Sequence, residues 1–277
     1  MQHLQWFPGH MTSAIRMMED NLKAVDGVML VLDARAPRAS INKKLEKLFE
    51  HKKVLYVLNK SDLVEPSDVK RTVKEFCAEN METVSISAMD KRSVDLLYSK
   101  IFELLKDKLD RNKAKGIFKP VRIMVVGIPN TGKSTIINAL CGGKKAVTGN
   151  KAGVTRGKQW VRLRELELLD TPGTMPPAFE NQNLAKHLAY IGSMNDANID
   201  FGDLAYELII ELKEKYPNLL KTKYNIDDLE VEPIEIFNAI CVRRGFIKKG
   251  NEYDYDRCAV AIIDDFRQGR IGKIILD

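Results

Sequence analysis

Short apolar runs alternate with amphipathic stretches over the first 170 residues. Ile15, Met18, Leu22 and Val25 recur at helical spacing, which predicts a helix over 12–26, capped by Thr12 or Ser13 and ended by Gly27. Val28–Leu32 is a compact apolar run closed by Asp33, the signature of a buried parallel strand. The same pattern returns at 54–58, closed by Asn59, and at 83–87. Helices are expected over 41–51, 66–80 (with Pro66 at its start) and 91–109, and the polar stretch 111–116 reads as a linker. Further strands are expected at 121–126 and 161–169. The second carries Arg162, Arg164, Glu165 and Glu167 among its apolar residues and looks like a sheet edge. Beyond about 180 the pattern becomes helical, at 182–191, 203–215, 233–244 and 256–268, without buried strands. The expectation is an α/β layered domain over 1–178 and a helical domain over 179–277, divided after Pro176-Pro177.

The chain carries 44 Lys+Arg against 38 Asp+Glu, a formal charge of +6. The excess is uneven. Residues 113–179 hold 12 basic and 3 acidic side chains, whereas 180–277 hold 13 and 18. The middle of the chain is therefore where a polyanion is expected. No apolar run approaches the roughly 20 residues of a membrane span. The N-terminus has no signal-peptide pattern. The four cysteines form no Cys-x-x-Cys pair, which argues against a zinc site or disulfide framework and for a cytoplasmic protein.

Gly127-Ile-Pro-Asn-Thr-Gly-Lys-Ser134 satisfies the P-loop pattern between a predicted strand and a predicted helix. Its amides, from Asn130, Thr131, Gly132, Lys133, Ser134 and Thr135, suit the wrapping of phosphates. Lys133 would reach the β- and γ-phosphates, and Ser134 would ligate Mg²⁺. Asp170-Thr-Pro-Gly173 follows at a strand end. There Asp170 can hold Mg²⁺ through water, and the Gly173 amide can meet a γ-phosphate. Thr155, preferred to Thr148, is the candidate switch threonine for the same metal. Asn59, Lys60, Ser61 and Asp62 match the N-K-x-D element of guanine recognition. Asp62 accepts from the base N1–H and N2–H₂, which adenine cannot offer, and this disfavours an ATP-dependent kinase. Ser87-Ala88 matches the element whose amide meets the guanine O6.

These elements are out of the common order, because Asn59–Asp62 and Ser87-Ala88 precede the P-loop. The expected fold is thus a P-loop NTPase with a circularly permuted G domain, followed by an all-helical C-terminal domain. The permuted order, Trp6-Phe-Pro-Gly-His-Met11, Asp33-Ala-Arg35, Tyr255-Asp-Arg257 and Phe266-Arg-Gln-Gly-Arg-Ile-Gly-Lys273 together resemble the ribosome biogenesis GTPase A family over nearly the whole chain.

That resemblance implies a GTPase, stimulated by the large ribosomal subunit precursor, that promotes its late maturation, with GTP as substrate, Mg²⁺ as cofactor and rRNA as a partner. It implies a monomer, no membrane, and an RNA-binding C-terminal domain similar to the ANTAR fold. Many GTPases orient the attacking water with a glutamine after D-x-x-G. Here Thr174 and Met175 stand there, and His10 matches the family histidine proposed for that role. By its residues alone His10 is equally compatible with packing beside the helix at 12–26. Asn130 sits in a loop form resembling potassium-activated GTPases, where its carboxamide oxygen would help hold K⁺. The alternative is a loop asparagine bonded to its own backbone. In the C-terminal part, Arg243-Arg-Gly-Phe-Ile-Lys-Lys249 is a local basic face suited to phosphate contacts. The competing function is a GTP-sensing RNA-binding protein acting on the small subunit or another RNA.

Overall fold

The computed structural model describes residues 10–142, 159–163, 165–176, 179 and 181–277. The chain begins with α1 (His10–Leu22), then β1 (Gly27–Asp33), α2 (Lys43–Phe49), β2 (Lys53–Asn59), α3 (Pro66–Ala78), β3 (Thr83–Ser85), α4 (Lys91–Leu104) and α5 (Lys106–Ala114). It continues with β4 (Val121–Val126), α6 (Lys133–Leu140), β5 (Gln159–Leu163) and β6 (Leu166–Asp170). Five helices follow among the described residues: α7 (Gln182–Tyr190), α8 (Phe201–Lys215), α9 (Pro217–Tyr224), α10 (Pro233–Arg244) and α11 (Tyr255–Arg267).

The strands form one sheet in the order β3-β2-β1-β4-β6-β5, parallel except for β5. β1 is buried along its whole length, and its side chains alternate between two cores. Met29 and Val31 pack with Leu97, Ile101, Ile136 and Ile137, under α4 and α6. Val28, Leu30 and Leu32 pack on the opposite face with Met18, Leu45, Phe49 and Phe76, under α1 to α3. The outcome is a three-layer sandwich whose parallel strands end together at Asp33, Asn59, Val126 and Asp170. Ligand sites of open α/β sheets lie at such an edge.

Several boundaries differ from the sequence expectation. The single strand expected over 161–169 is an antiparallel pair. β5 is the edge, while β6 lies between β4 and β5 with Leu166, Leu168 and Leu169 fully buried. Glu165 and Glu167 stand on either side of Leu166, and such alternation along one strand mimics an edge. The polar linker expected at 111–116 lies largely within α5, which buries no residue and so offers no apolar stripe to read. The helix expected over 91–109 breaks at Leu105, between α4 and α5. α1 begins at His10, ahead of the expected caps Thr12 and Ser13. Helix α9, unseen in the pattern, starts at Pro217 and stops where Asn225 adopts a left-handed conformation.

The C-terminal helices share a core around Leu204, Leu208, Ile236, Ile240, Ile263 and Phe266. The same core takes in Met11, Ala36, Ala39, Ile128 and Met175 from the sheet-bearing part. The last residues then return to the turns that follow β1 and β2. The Ile274 and Leu276 amides donate to Leu63 O (3.1 Å) and Arg35 O (2.7 Å). The Asp277 side chain accepts from the Arg38 and Ala39 amides at 2.8 and 3.1 Å, and it meets His187 Nδ1 at 3.1 Å. Glu211 takes the other imidazole nitrogen at 3.0 Å. Burial disfavours charge on His187, but these two carboxylates outweigh it and raise its pKa. In the sequence His187 reads as an unremarked solvent or packing histidine; here it is a buried ionic tie between α7, α8 and the C-terminus. Among the described residues no helix is long and apolar enough to cross a membrane.

Candidate nucleotide site

β4 runs straight into Gly127, whose φ of +148° only glycine adopts readily, and a Cβ there would sit 2.4 Å from Val31 O. The loop closes at Gly132, with φ +94°, where a Cβ would stand 2.3 Å from Asn59 Nδ2. Both glycines are thus required by the approach of neighbouring strands, and the space between them is left to backbone. α6 starts at Lys133, so Lys133, Ser134 and Thr135 form its first turn. The first turn of a helix turns its amides and the positive end of the dipole toward a ligand.

Lys133 is buried, and its ammonium donates to Ile128 O at 2.8 Å and Gly127 O at 3.2 Å. Desolvation pushes its pKa down to about 8, against the opposing pull of Asp170. Ser134 Oγ donates to Asp170 Oδ2 at 2.9 Å, so a hydroxyl and a carboxylate from α6 and β6 already converge. This donor set is all hard oxygen and fits Mg²⁺; Ser134 and Asp170 would hold the ion, which supplies charge neutralisation at the phosphates. Thr155, the expected third metal residue, lies outside the described residues. So do Thr148 and the rest of the basic segment 143–158. Among the described residues no group of three His, Cys, Asp or Glu side chains forms a separate metal cluster.

Asn59 joins the separated motifs. From the end of β2 its Nδ2 donates to Thr131 O in the P-loop at 2.8 Å, and its Oδ1 accepts from the Ala88 amide at 3.1 Å. It is 2% exposed. Lys60 adopts a left-handed conformation and sends its ammonium to Asn130 O and Asp33 Oδ2, both at 2.7 Å. The Ser61 amide donates to Ile86 O at 3.1 Å. Asp62, in the following turn, is exposed at the same edge, and Ser87, next to Ala88 in the chain, is buried. Elements that are reversed along the chain are therefore neighbours in space, because β2 and β4 flank β1 in one parallel sheet.

Asp33 and Arg35 have no assigned role in the sequence reading beyond their part in the resemblance. The structure gives them one. Arg35 grips Asp33 with Nε at 2.9 Å and Nη2 at 2.8 Å, and its Nη1 donates to Arg267 O at 3.0 Å and Phe266 O at 3.3 Å. One buried guanidinium thus links the end of β1 to the C-terminal end of α11. Burial opposes the charge of Asp33, but Arg35 and Lys60 hold its carboxyl well below the usual range.

Gly173 packs against Pro129, with room for no Cβ (2.7 Å to Pro129 N and Cα). Thr174 is fully buried; its amide donates to Gly127 O at 3.2 Å and its carbonyl accepts from Asn42 Nδ2 at 3.2 Å. Met175 is buried too, and its amide donates to Met11 Sδ at 3.4 Å. The residues standing where many GTPases have a water-orienting glutamine thus face the interior. The contact with Met11 brings the first turn of α1, which begins at His10, to this segment. The side chain of His10 lies outside what is described. Asn130, left-handed at φ +61°, donates Nδ2 to Gly192 O at 2.5 Å, not to its own backbone.

A family model described as "50S ribosome-binding GTPase" matches residues 122–230. The interval opens on β4 and omits the guanine elements at 59–62 and 87–88, as a permuted order requires of a linear match. "Ribosome biogenesis GTPase A" of Priestia megaterium is 37% identical over 277 residues, covering 99% of this chain and 96% of that protein. The protein of the same name in Bacillus licheniformis is 38% identical over 274 residues, covering 98% and 96%. Among solved structures, GNP-bound YlqF from T. maritima superposes with a TM-score of 0.64 at 26% identity, covering 96% of this chain and 97% of that one. Its GDP-bound form gives 0.65, covering 94% and 97%. With the reversed motifs joined through Asn59, and with relatives of this identity matched end to end, the chain belongs to the ribosome biogenesis GTPase A family, a family of circularly permuted GTPases.

Proposed function

We propose that this GTPase hydrolyses GTP to GDP and phosphate on a precursor of the large ribosomal subunit and thereby promotes its late maturation. The observation that carries the reading is Asn59, whose amide ties the guanine-selective turn to both the P-loop and Ala88. The relatives' names, and the family model's reference to the 50S particle, supply the ribosomal context. In this reading Asp62 selects guanine, and the amides from Asn130 to Thr135 cradle the phosphates. Lys133 offsets charge on the γ-phosphate, and Ser134, Asp170 and Thr155 hold Mg²⁺. His10 orients the attacking water, a role supported by the meeting of Met11 with Met175 and by the burial of Thr174. Potassium held by Asn130 adds positive charge beside the phosphates. The division of labour is a GTPase domain over 1–178 and a helical domain over 179–277 that meets rRNA through Arg243–Lys249. The protein acts as a cytoplasmic monomer.

The test is phosphate release under multiple turnover with purified large or small subunits, in K⁺ or Na⁺ buffer. Stimulation by large subunits, larger in K⁺, is expected. Equal rates in both salts remove the potassium site, stimulation by small subunits alone redirects the partner, and no stimulation by either favours a GTP-sensing RNA-binding protein.

A further inference from the structure

The crest of the P-loop is held from outside the nucleotide site. Helix α7 ends in a rigid cap: the Gly192 amide donates to Ala189 O at 3.1 Å and the Ser193 amide to Leu188 O at 2.9 Å, with Gly192 at φ +76°. Arg267 locks the same helix end, with Nε on Tyr190 O at 3.1 Å and Nη2 on Ala189 O at 2.9 Å. This cap faces the P-loop. Ser193 Oγ, fully buried, donates to Pro129 O at 2.7 Å, and Gly192 O accepts from Asn130 Nδ2 at 2.5 Å. From the other side Lys60 holds Asn130 O at 2.7 Å.

Asn130 sits in the left-handed region, which asparagine tolerates better than other non-glycine residues, and its surroundings fix it there. The direction in which the loop amides point depends on that turn. We infer that Ser193, together with the Gly192 carbonyl, is a positioning residue for the phosphate cradle, so that the helical part of the chain sets nucleotide affinity without touching the nucleotide. A macromolecule that docks on α7 or α11 then changes nucleotide affinity, and nucleotide changes its affinity in return.

The inference rests on the reading of this loop as the GTP site, and the parent's own affinity for fluorescent GDP reports on that reading. The ratio of variant to parent reports on the inference. Ser193→Ala in the full chain removes one neutral hydrogen bond, and GDP is expected to bind about 3- to 10-fold more weakly. A merely structural hydroxyl would lower the unfolding midpoint and leave the affinity ratio unchanged. Asn130→Ala breaks the companion tether, so the double variant should lose less than the product of the two single losses. An S193A affinity within about 1.5-fold of the parent, or strictly multiplicative losses, would overturn it.

Discussion

Replacing Asp33 by asparagine tests the link between the sheet and α11. Asp33 is fully buried and Arg35 only 2% exposed, and two side-chain hydrogen bonds of 2.8 and 2.9 Å join them. The substituted carboxamide keeps the shape and loses the charge, leaving a guanidinium in the interior beside one neutral acceptor and one N–H₂ donor. Breaking a buried pair this way costs about 3–5 kcal/mol, a large part of the roughly 5–15 kcal/mol that stabilises a typical protein. At roughly 2–4 °C per kcal/mol for chains of a few hundred residues, the midpoint of thermal unfolding should fall by about 6–20 °C. Lys60 loses one of its two partners but keeps Asn130 O, so GDP affinity should fall far less than stability. The pH dependence supplies a second readout. A depressed carboxyl pKa contributes stability that is fully present above the unfolded value of about 3.9 and is lost only as pH falls through the folded value. The deficit of D33N should therefore be constant between about pH 5 and 9. Adding Arg35→Met, which removes the orphaned charge, should recover part of the loss. A midpoint drop below about 2 °C, or additivity with R35M, would refute the claim that this pair is an interior charge pair holding α11.

Two further outcomes concern the nucleotide. Gly132→Ala puts a methyl 2.3 Å from Asn59 Nδ2 at φ +94°, so it should abolish detectable GDP binding by fluorescence titration while far-ultraviolet circular dichroism stays that of the parent. Lys133, with its pKa pushed down to about 8 when the site is free, must be protonated to meet phosphate. Binding therefore takes up a proton above about pH 8, and GDP affinity measured by titration should be level below about pH 7.5 and fall about tenfold by about pH 9; a Lys133→Arg variant, always charged, should not show that fall.

What can be read from sequence follows the range over which each interaction acts. Val28–Leu32 announces a parallel strand because both faces are buried, Val54–Leu58 does so although Val54 and Tyr56 are only partly covered, and the P-loop announces itself because its spacing is dictated by one turn of backbone. The guanine elements are legible for the same local reason, as is their reversed order. Gly192 and Ser193 are not. Their partners, Asn130 and Pro129, lie 62 and 64 residues away, and a glycine and a serine after a helix read as an ordinary cap. Arg35 is an intermediate case. Its motif is visible within Asp33-Ala-Arg35, but its partners Phe266 O and Arg267 O are backbone atoms, which no side-chain pattern encodes. His187 likewise lacks a local signature, because Glu211 and Asp277 reach it from another helix and from the C-terminus.

Permutation gives these long-range contacts their mechanical meaning. In this order the chain leaves β6 at Asp170, passes Gly173 and enters the helical part, with no further strand among the described residues to anchor it in the sheet. Besides the ties of its C-terminal residues to Leu63, Arg35, Arg38 and Ala39, it is anchored to the P-loop twice. The Thr174 amide is bonded to Gly127 O at one end of the loop, and Ser193 and Gly192 are bonded to Pro129 and Asn130 at its crest. Gly173 thus lies between two ties to one loop. Met175 rests on Met11, and Asn42 on Thr174 O, so the same segment is also held by buried hydrogen bonds to the first turn of α1 and the start of α2. Arg267 joins the cap of α7 to α11 and, through the α11 carbonyls, to Arg35 and Asp33. A closed circuit of hydrogen bonds thus runs from Asp33 through Arg35, α11 and α7 to Asn130 and Lys60, and back to Asp33, so the crest of the P-loop and the helical part share one network.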